Sequence, residues 1–311
     1  MTTREEQSPP IELAPWQFEI GGVVLGRGSR IPIGDIDGLG APPTRPQDVD
    51  NPTGDGTYPG QDFYGPRTLR FEAGIKTPGD PAAAADLLAR LELAVDDPAV
   101  RTRPEGRAVL RGRWPGHRTR RVYGRLRRVE ATSTATAING WIPLDIEFAG
   151  LDPRWYDDEL SQLTLGLDQA ARHKDTDCTS DQVLSALVGC ESADPDDRPG
   201  WITNQGNVST WPSLRIHGPV ANPRIWNTAT RRVLELGLSL RAGEWVELET
   251  RPGTRWALRN GTVNVANDLT PASRLDLFDI PRGRSEIGWS GEDPSGTARL
   301  GVSWRSAYTA L

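Results

Sequence analysis

Residues 140–156 hold the clearest structural signal in the chain and read Gly-Trp-Ile-Pro-Leu-Asp-Ile-Glu-Phe-Ala-Gly-Leu-Asp-Pro-Arg-Trp-Tyr. Every second residue of the first half is apolar, namely Ile142, Leu144, Ile146 and Phe148. This alternation is typical of a strand with one face on a core. Asp152-Pro153 then breaks the pattern, because proline lacks a backbone donor and restricts the preceding residue. The segment predicts the last core strand of one domain, followed by a connector.

The residues before this strand predict a β domain that carries one helix. Residues 16–33 give a hairpin signal, since apolar residues alternate on both sides of Gly21-Gly22. A strand is expected at Leu69 and Phe71. Residues 81–95 predict a helix, with Asp80 as its cap, Pro81 at its first position and an apolar stripe that includes Leu87 and Leu91. This helix is expected to pack on a sheet.

Residues 34–67 form a long stretch rich in Gly, Pro and Asp. A loop of this length inside a compact domain is usually functional or disordered. It contains the aromatic residues Tyr58, Phe63 and Tyr64. These residues predict that part of the loop docks against a partner surface, and the alternative is that they cover the edge of their own domain.

Residues 101–128 contain eleven arginines spread over two predicted strands, 108–114 and 121–129. A nucleic-acid surface is one interpretation, because basic residues neutralise phosphates. The apolar residues between the arginines favour a sheet with arginines on its wet face or at a subunit contact. The formal net charge of −6 also argues against a protein whose main surface binds nucleic acid.

Residues 168–197 are acidic and irregular and are expected to be a solvated linker or insertion. No calcium-binding loop can be laid on them. They contain His173 and both cysteines, Cys178 and Cys190, in no known metal spacing. Two separate buried thiols are favoured over a disulfide, on the premise of a reducing compartment. A short alternating strand is predicted just before this stretch, at 162–167.

Residues 202–311 contain eight short strand patterns, each bounded by turn-forming residues. They predict a two-sheet sandwich or jelly roll, with a hairpin turn at Asn260-Gly261. The eight patterns are 214–216, 224–226, 233–236, 245–248, 255–258, 274–278, 285–289 and 298–303.

The sequence offers no signal for catalysis, for a cofactor or for a metal. The three histidines are far apart in sequence, and no phosphate-binding loop or dinucleotide fingerprint occurs. Adjacent Asp157-Asp158 could serve glycoside hydrolysis only at a separation that sequence does not give. No run of 18 apolar residues and no secretory signal is present, so synthesis in a cytoplasm is expected. A structural or binding protein is therefore favoured over an enzyme.

Six of the eleven tryptophans lie in the last 101 residues. Exposed tryptophans on a sandwich face could stack on sugar rings, and the candidates are Trp226, Trp245 and Trp256. Burial in the core is the commoner fate of such residues. A carbohydrate-binding module that recognises host cell-surface glycans is therefore kept as the alternative function.

Three segments, taken in order, resemble distal tail proteins of siphophages, especially minor tail proteins of phages that infect actinobacteria. These segments are 54–66 (Gly-Asp-Gly-Thr-Tyr-Pro-Gly-Gln-Asp-Phe-Tyr-Gly-Pro), 148–156 (Phe-Ala-Gly-Leu-Asp-Pro-Arg-Trp-Tyr) and 211–225 (Trp-Pro-Ser-Leu-Arg-Ile-His-Gly-Pro-Val-Ala-Asn-Pro-Arg-Ile). Shorter pieces at 242–244, 260–261 and 304–308 also fit, and the acidic stretch 168–197 departs from the pattern.

The resemblance implies a mainly β protein. It implies an amino-terminal β-sandwich or split-barrel-like domain with one packed helix (1–156) and a galectin-like jelly-roll sandwich (202–311). Residues 157–201 between them are expected, from their own composition, to be a connector with an acidic insertion. Such proteins usually assemble as hexameric rings in the virion tail tip. The implied partners are further copies of the chain, the tail tube protein and the tail hub, together with the tape measure protein and tail fibres, and neither a membrane nor a specific nucleic-acid sequence.

In this interpretation, several residues become candidates for contacts in the assembly. The candidates for the subunit or tube interface are Arg45, Tyr58, Phe63, Tyr64, Arg67, Leu87 and Leu91. Trp155 and Tyr156 are candidates for fixing the angle between the two domains.

Overall fold

The computed structural model describes residues 11–167 and 199–311. The chain divides into two compact units. The first unit runs as far as Asp158 and also takes in the last four residues, 308–311, while the second runs from Glu159 to Ala307. The domain limits 1–156, 157–201 and 202–311 stay predictions, and the acidic stretch with both cysteines and His173 lies outside the described residues.

The first unit is built on one large antiparallel sheet and a helix. Its elements are β1 (Gln17–Ile20), β2 (Val23–Gly26), β3 (Ile33–Asp37), β4 (Thr44–Arg45), β5 (Val49–Asp50), β6 (Thr57–Tyr58), β7 (Phe63–Tyr64), β8 (Arg67–Lys76), α1 (Pro81–Val95), α2 (Pro98–Arg101), β9 (Ala108–Arg113), β10 (Arg120–Ala131), β11 (Trp141–Gly150) and β12 (Trp155–Asp157). The sheet order is β2-β1-β9-β10-β11-β8-β3, with β12 pairing to β10. Strands β4 to β7 lie outside this sheet.

Strand β11 lies inside the sheet, between β10 and β8. Its ten residues pair without interruption with β8, from Trp141 opposite Lys76 to Gly150 opposite Arg67. The four alternating apolar residues are buried, as predicted: Ile142, Leu144, Ile146 and Phe148. Their burial against the core of the first unit explains why this segment dominates the sequence pattern.

Helix α1 packs on the sheet, as its apolar stripe predicts. The Asp80 carboxylate caps the helix by accepting a hydrogen bond from the backbone N–H of Ala83 at 2.9 Å. Pro81 occupies the first turn, where its missing donor costs nothing. Ala84 and Leu91 are fully buried, and Leu87 is partly buried against the same core.

The second unit is a two-sheet sandwich. Its strands are β13 (Ser161–Gly166), β14 (Trp201–Asn204), β15 (Ser213–His217), β16 (Val220–Asn227), β17 (Arg232–Glu235), β18 (Ser239–Leu240), β19 (Trp245–Glu249), β20 (Trp256–Arg259), β21 (Val263–Asn264), β22 (Gly283–Glu292) and β23 (Arg299–Trp304). Strand β24 (Ala307–Tyr308) is in neither sheet of the sandwich and pairs with β12. One sheet has the order β13-β23-β15-β19-β20-β21, and the other has β14-β22-β16-β17 with β18 beside β16. The apolar residues of both sheets form a single core.

The mainly β class is confirmed, and seven of the eight strand patterns predicted after residue 202 correspond to strands. The pattern at 274–278 is wrong, because residues 275–277 form a short 3-10 helix. The Asn260-Gly261 turn is confirmed, since both residues have the positive φ that such a turn requires, 50° and 74°. Strand β14 begins at Trp201, where the sequence predicts a linker.

We predict that Ile146→Ala lowers the free energy of unfolding by about 2–5 kcal/mol, because Ile146 is fully buried and its truncation leaves a cavity. The neighbour Glu147 points to the other face and forms an exposed ion pair with Arg70 at 3.3 Å. Glu147→Ala is the matched control and should cost roughly 1 kcal/mol or less. Urea denaturation measures both, and equal losses would contradict the assigned sheet face.

Candidate assembly interface

A hairpin projects from the first unit without joining its main sheet, and we call residues 41–64 the arm. Strand β4 pairs with β7, and further along β5 pairs with β6. A hydrogen bond closes the tip: the backbone N–H of Asn51 donates to the carbonyl of Gly56 at 3.0 Å. The Asp48 carboxylate also accepts from the N–H of Gly60 at 2.8 Å. The long loop predicted from sequence is therefore an ordered ladder of short strand pairs.

The arm carries a group of large apolar side chains that the first unit leaves uncovered. Val49 is 63% exposed, Tyr58 56%, Tyr64 50% and Phe63 43%. Arg45 pairs with Phe63 in register, and its guanidinium carbon lies 5.9 Å from the Phe63 ring centroid. Exposed apolar groups rimmed by polar residues are typical of surfaces that bind other proteins.

The base of the arm is held by the guanidinium of Arg67, a residue that is only 1% exposed. Arg67 donates to the carbonyls of Gly38 and Gly40 at 2.8 and 2.6 Å. It also donates to the carbonyls of Pro153 at 3.1 Å and Thr309 at 2.6 Å. Burial lowers the pKa of Arg67, but an arginine remains charged at neutral pH. One side chain thus joins four separate points of the backbone within the first unit.

A second buried ionic group lies across β1, β9 and β10. Glu19 stands opposite Arg111, and Arg111 stands opposite Arg121. Two like charges in register would repel. The Asp158 carboxylate separates them, accepting from Arg111 Nη2 at 2.6 Å and from Arg121 Nη2 at 2.7 Å, and Glu19 accepts from Arg111 at 3.3 Å.

This cluster contains two of the eleven arginines that the sequence places on a wet sheet face or at a subunit contact, and Arg111 and Arg121 are instead buried. Burial alone would raise the pKa of Asp158, but the hydrogen bonds and positive charges of Arg111 and Arg121 outweigh it and hold that pKa below its usual range. Sequence reasoning missed the cluster because Asp158 lies 37 residues or more from both arginines. A charge at that distance gives no local pattern.

The remaining candidates of the first unit lie inside it. Trp155 and Tyr156 are fully buried, and the Tyr156 ring lies 5.6 Å from the ring of Tyr123. The Tyr156 hydroxyl also donates to the carboxylate of Asp152. Leu91, a residue of α1, is fully buried. Their roles at interfaces stay predictions.

The three tryptophans proposed for glycan stacking do not form one platform. Trp245 and Trp256 belong to the six-stranded sheet, each beside a buried residue that faces the core. Trp226 belongs to the opposite sheet and lies across Gly288. One face of Trp245 is covered by the Arg215 guanidinium, 4.5 Å from its ring centroid.

Among residues 11–167 and 199–311, no group of three or more metal-ligating side chains comes together. In the same residues, no helix is long and apolar enough to cross a bilayer.

No protein-family model and no curated protein sequence matches the chain. Among solved structures it is similar to SPP1 Dit (gp 19.1), described as a paradigm of the hub adsorption apparatus in phages that infect Gram-positive bacteria. That match has a TM-score of 0.56 and 11% identity, and it covers 94% of this chain and 98% of SPP1 Dit. A chain of the phage P2 baseplate in its activated conformation with Ca matches with a TM-score of 0.52 and 10% identity, over 92% of this chain and 97% of that chain. The resemblance to distal tail proteins is thereby confirmed for the fold.

We predict that Arg67→Lys destabilises the first unit by roughly 2–3 kcal/mol, because one ammonium cannot reach four carbonyls that a guanidinium fork spans. Hydrogen exchange should quicken at residues 38–40 and 308–311. Arg70→Lys, on the exposed side of the same strand, is the control. Unchanged exchange at both segments would argue against the role given to Arg67.

We predict that Asp158→Asn costs about 3–5 kcal/mol, because it leaves two buried arginines without their shared carboxylate. The pKa of Asp158 is lowered in the folded state, so its contribution is present above the unfolded pKa of about 4 and is lost as pH falls further.

Denaturation at a series of pH values should therefore show a flatter acid limb for Asp158→Asn than for the wild type. Asp145→Asn, which removes a carboxylate from an exposed pair with Arg128, is the matched control. Identical acid limbs in wild type and Asp158→Asn would contradict the assignment.

Proposed function

We propose that the chain is a structural protein of a phage tail tip, located in the virion. The observation that carries this proposal is the likeness to SPP1 Dit, which extends over nearly the whole of both chains. The order of the sequence segments that resemble distal tail proteins supports it independently. The role is structural, and it needs no catalytic site.

In this role the chain forms a closed ring, a hexamer, that joins the tail tube to the hub and the host-recognition apparatus. A ring needs two different surfaces on each copy that fit each other around the axis. The arm supplies one such surface, because its four exposed apolar side chains lie on a segment outside the main sheet. The partners proposed beyond further copies are the tail tube protein, the hub, the tape measure protein and tail fibres.

A deletion tests the arm directly. We predict that the full chain migrates as a ring in native mass spectrometry and that removal of residues 50–62 leaves monomers. The deletion removes strand β6 and one of the two residues of β5, neither of which pairs with the main sheet, so thermal stability should change little.

Leu93→Ala is the control, since Leu93 is an exposed apolar residue on α1, away from the arm. Stable rings from the deleted chain would remove the arm from the interface. A wild type that stays monomeric at every concentration would contradict the ring itself.

A further inference from the structure

The first unit also contains an open cleft that no residue of the arm lines. Its volume is about 450 Å³, within the range of roughly 300–1,000 Å³ seen for binding pockets. Lining residues from three segments meet there: Trp16 and Phe18; Gly26, Arg27, Gly28, Pro32, Ile33, Gly34, Asp35, Ile36 and Leu39; and Trp114.

Two tryptophans form one wall of this cleft. The ring centroids of Trp16 and Trp114 are 4.1 Å apart, and Trp16 is 41% exposed. A pair of large indoles at a partly open site resembles the aromatic centre of a protein interface, where a few tryptophans and tyrosines carry most of the affinity.

The backbone at Trp16 is held in an unfavourable conformation. Its φ is 65°, a value that costs a bulky residue about 1–3 kcal/mol. Two hydrogen bonds maintain it, from the Trp16 N–H to the carbonyl of Arg113 at 2.8 Å and from the N–H of Arg27 to the Trp16 carbonyl at 3.0 Å. Strain of this kind concentrates at functional sites, and here it presents an indole at the mouth of the cleft.

We propose that this cleft receives the aromatic residues of the arm of a second copy of the chain, an inference that rests on the ring proposed above. The arm and the cleft are two different apolar surfaces on one molecule. Association of unlike surfaces on identical chains is head-to-tail and closes into a ring when the rotation permits. No second protein is then required to cover either surface.

The length and the charge of the arm both fit binding in the cleft of a second copy. Residues 44–53 span at most roughly 30 Å when extended, about the width of a small domain. The arm carries four aspartates against one arginine, Arg45. The connection between β2 and β3, which forms the second wall, carries two exposed arginines, Arg27 in the lining of the cleft and Arg30 beside it, and the exposed carboxylate of Asp35 also lines the cleft. Opposite charges at the rim fix the register of the two surfaces.

The decisive experiment joins arm and cleft between separate chains. Two full-length forms with Cys178→Ser and Cys190→Ser are co-expressed, one with Asp35→Cys in the cleft and one with Tyr58→Cys on the arm. Oxidation should give a disulfide between the two forms. The control replaces Tyr58→Cys by Leu93→Cys, on the exposed face of α1.

A second variant removes the indole without straining the fold. Trp16→Gly places at φ 65° the residue that prefers it, so stability is retained while the aromatic wall is lost. Native mass spectrometry should show the ring dissociating at a protein concentration at least tenfold higher than for wild type. Trp141→Ala is the matched control, because Trp141 is 39% exposed, much like Trp16, and does not line the cleft.

Two results would overturn the cleft assignment while leaving the ring in place. One is an intact ring in which the Asp35→Cys and Tyr58→Cys pair cross-links no more than the control. The other is a Trp16→Gly ring that dissociates at the same protein concentration as the wild-type ring. The cleft would then belong to another tail protein or a small ligand. A monomeric wild type would overturn both proposals together.

Discussion

The guanidinium of Arg67 holds together the parts of the first unit on which the proposed assembly depends. It binds the carbonyls of Gly38 and Gly40 at the base of the arm, the carbonyl of Pro153 in the turn after β11, and that of Thr309 near the end of the chain. A buried cation whose donors were not satisfied would be costly. The base of the arm is therefore fixed by a side chain whose hydrogen bonds are costly to break. The apolar side chains of the arm itself are exposed to solvent.

The sequence predicts well those features that depend on local pattern. The alternation of Ile142, Leu144, Ile146 and Phe148 places β11 correctly, and the Asp80-Pro81 pair places the start of α1. These predictions succeed because burial of one face imposes a period on neighbouring residues. The pattern at 274–278 predicts a strand wrongly, because a run of five residues with alternating apolar character also fits a short 3-10 helix.

Features that depend on distant residues could not be predicted. Arg67 stands at the start of a strand and looks like a surface charge, yet its partners lie as far as 242 residues away. The same holds for Arg111 in β9, whose partner Asp158 follows β12, three strands later. Trp16 and Trp114 meet only because β1 pairs with β9. The sequence predicts that the aromatic residues of the arm dock against a partner surface. It does not predict the proposed cleft, because the cleft is lined by three segments that are separate in sequence.

The likeness to SPP1 Dit at 11% identity agrees with this distinction between local patterns and distant contacts. A fold can be kept by its apolar pattern and turn positions while individual contacts change. The most direct test of the account is electron cryo-microscopy of the full chain assembled in solution. The account predicts a closed ring in which density for residues 44–64 of each copy enters the neighbour's cleft beside Trp16 and Trp114. Density showing the arm against its own copy, or free in solvent with the cleft empty, would contradict it.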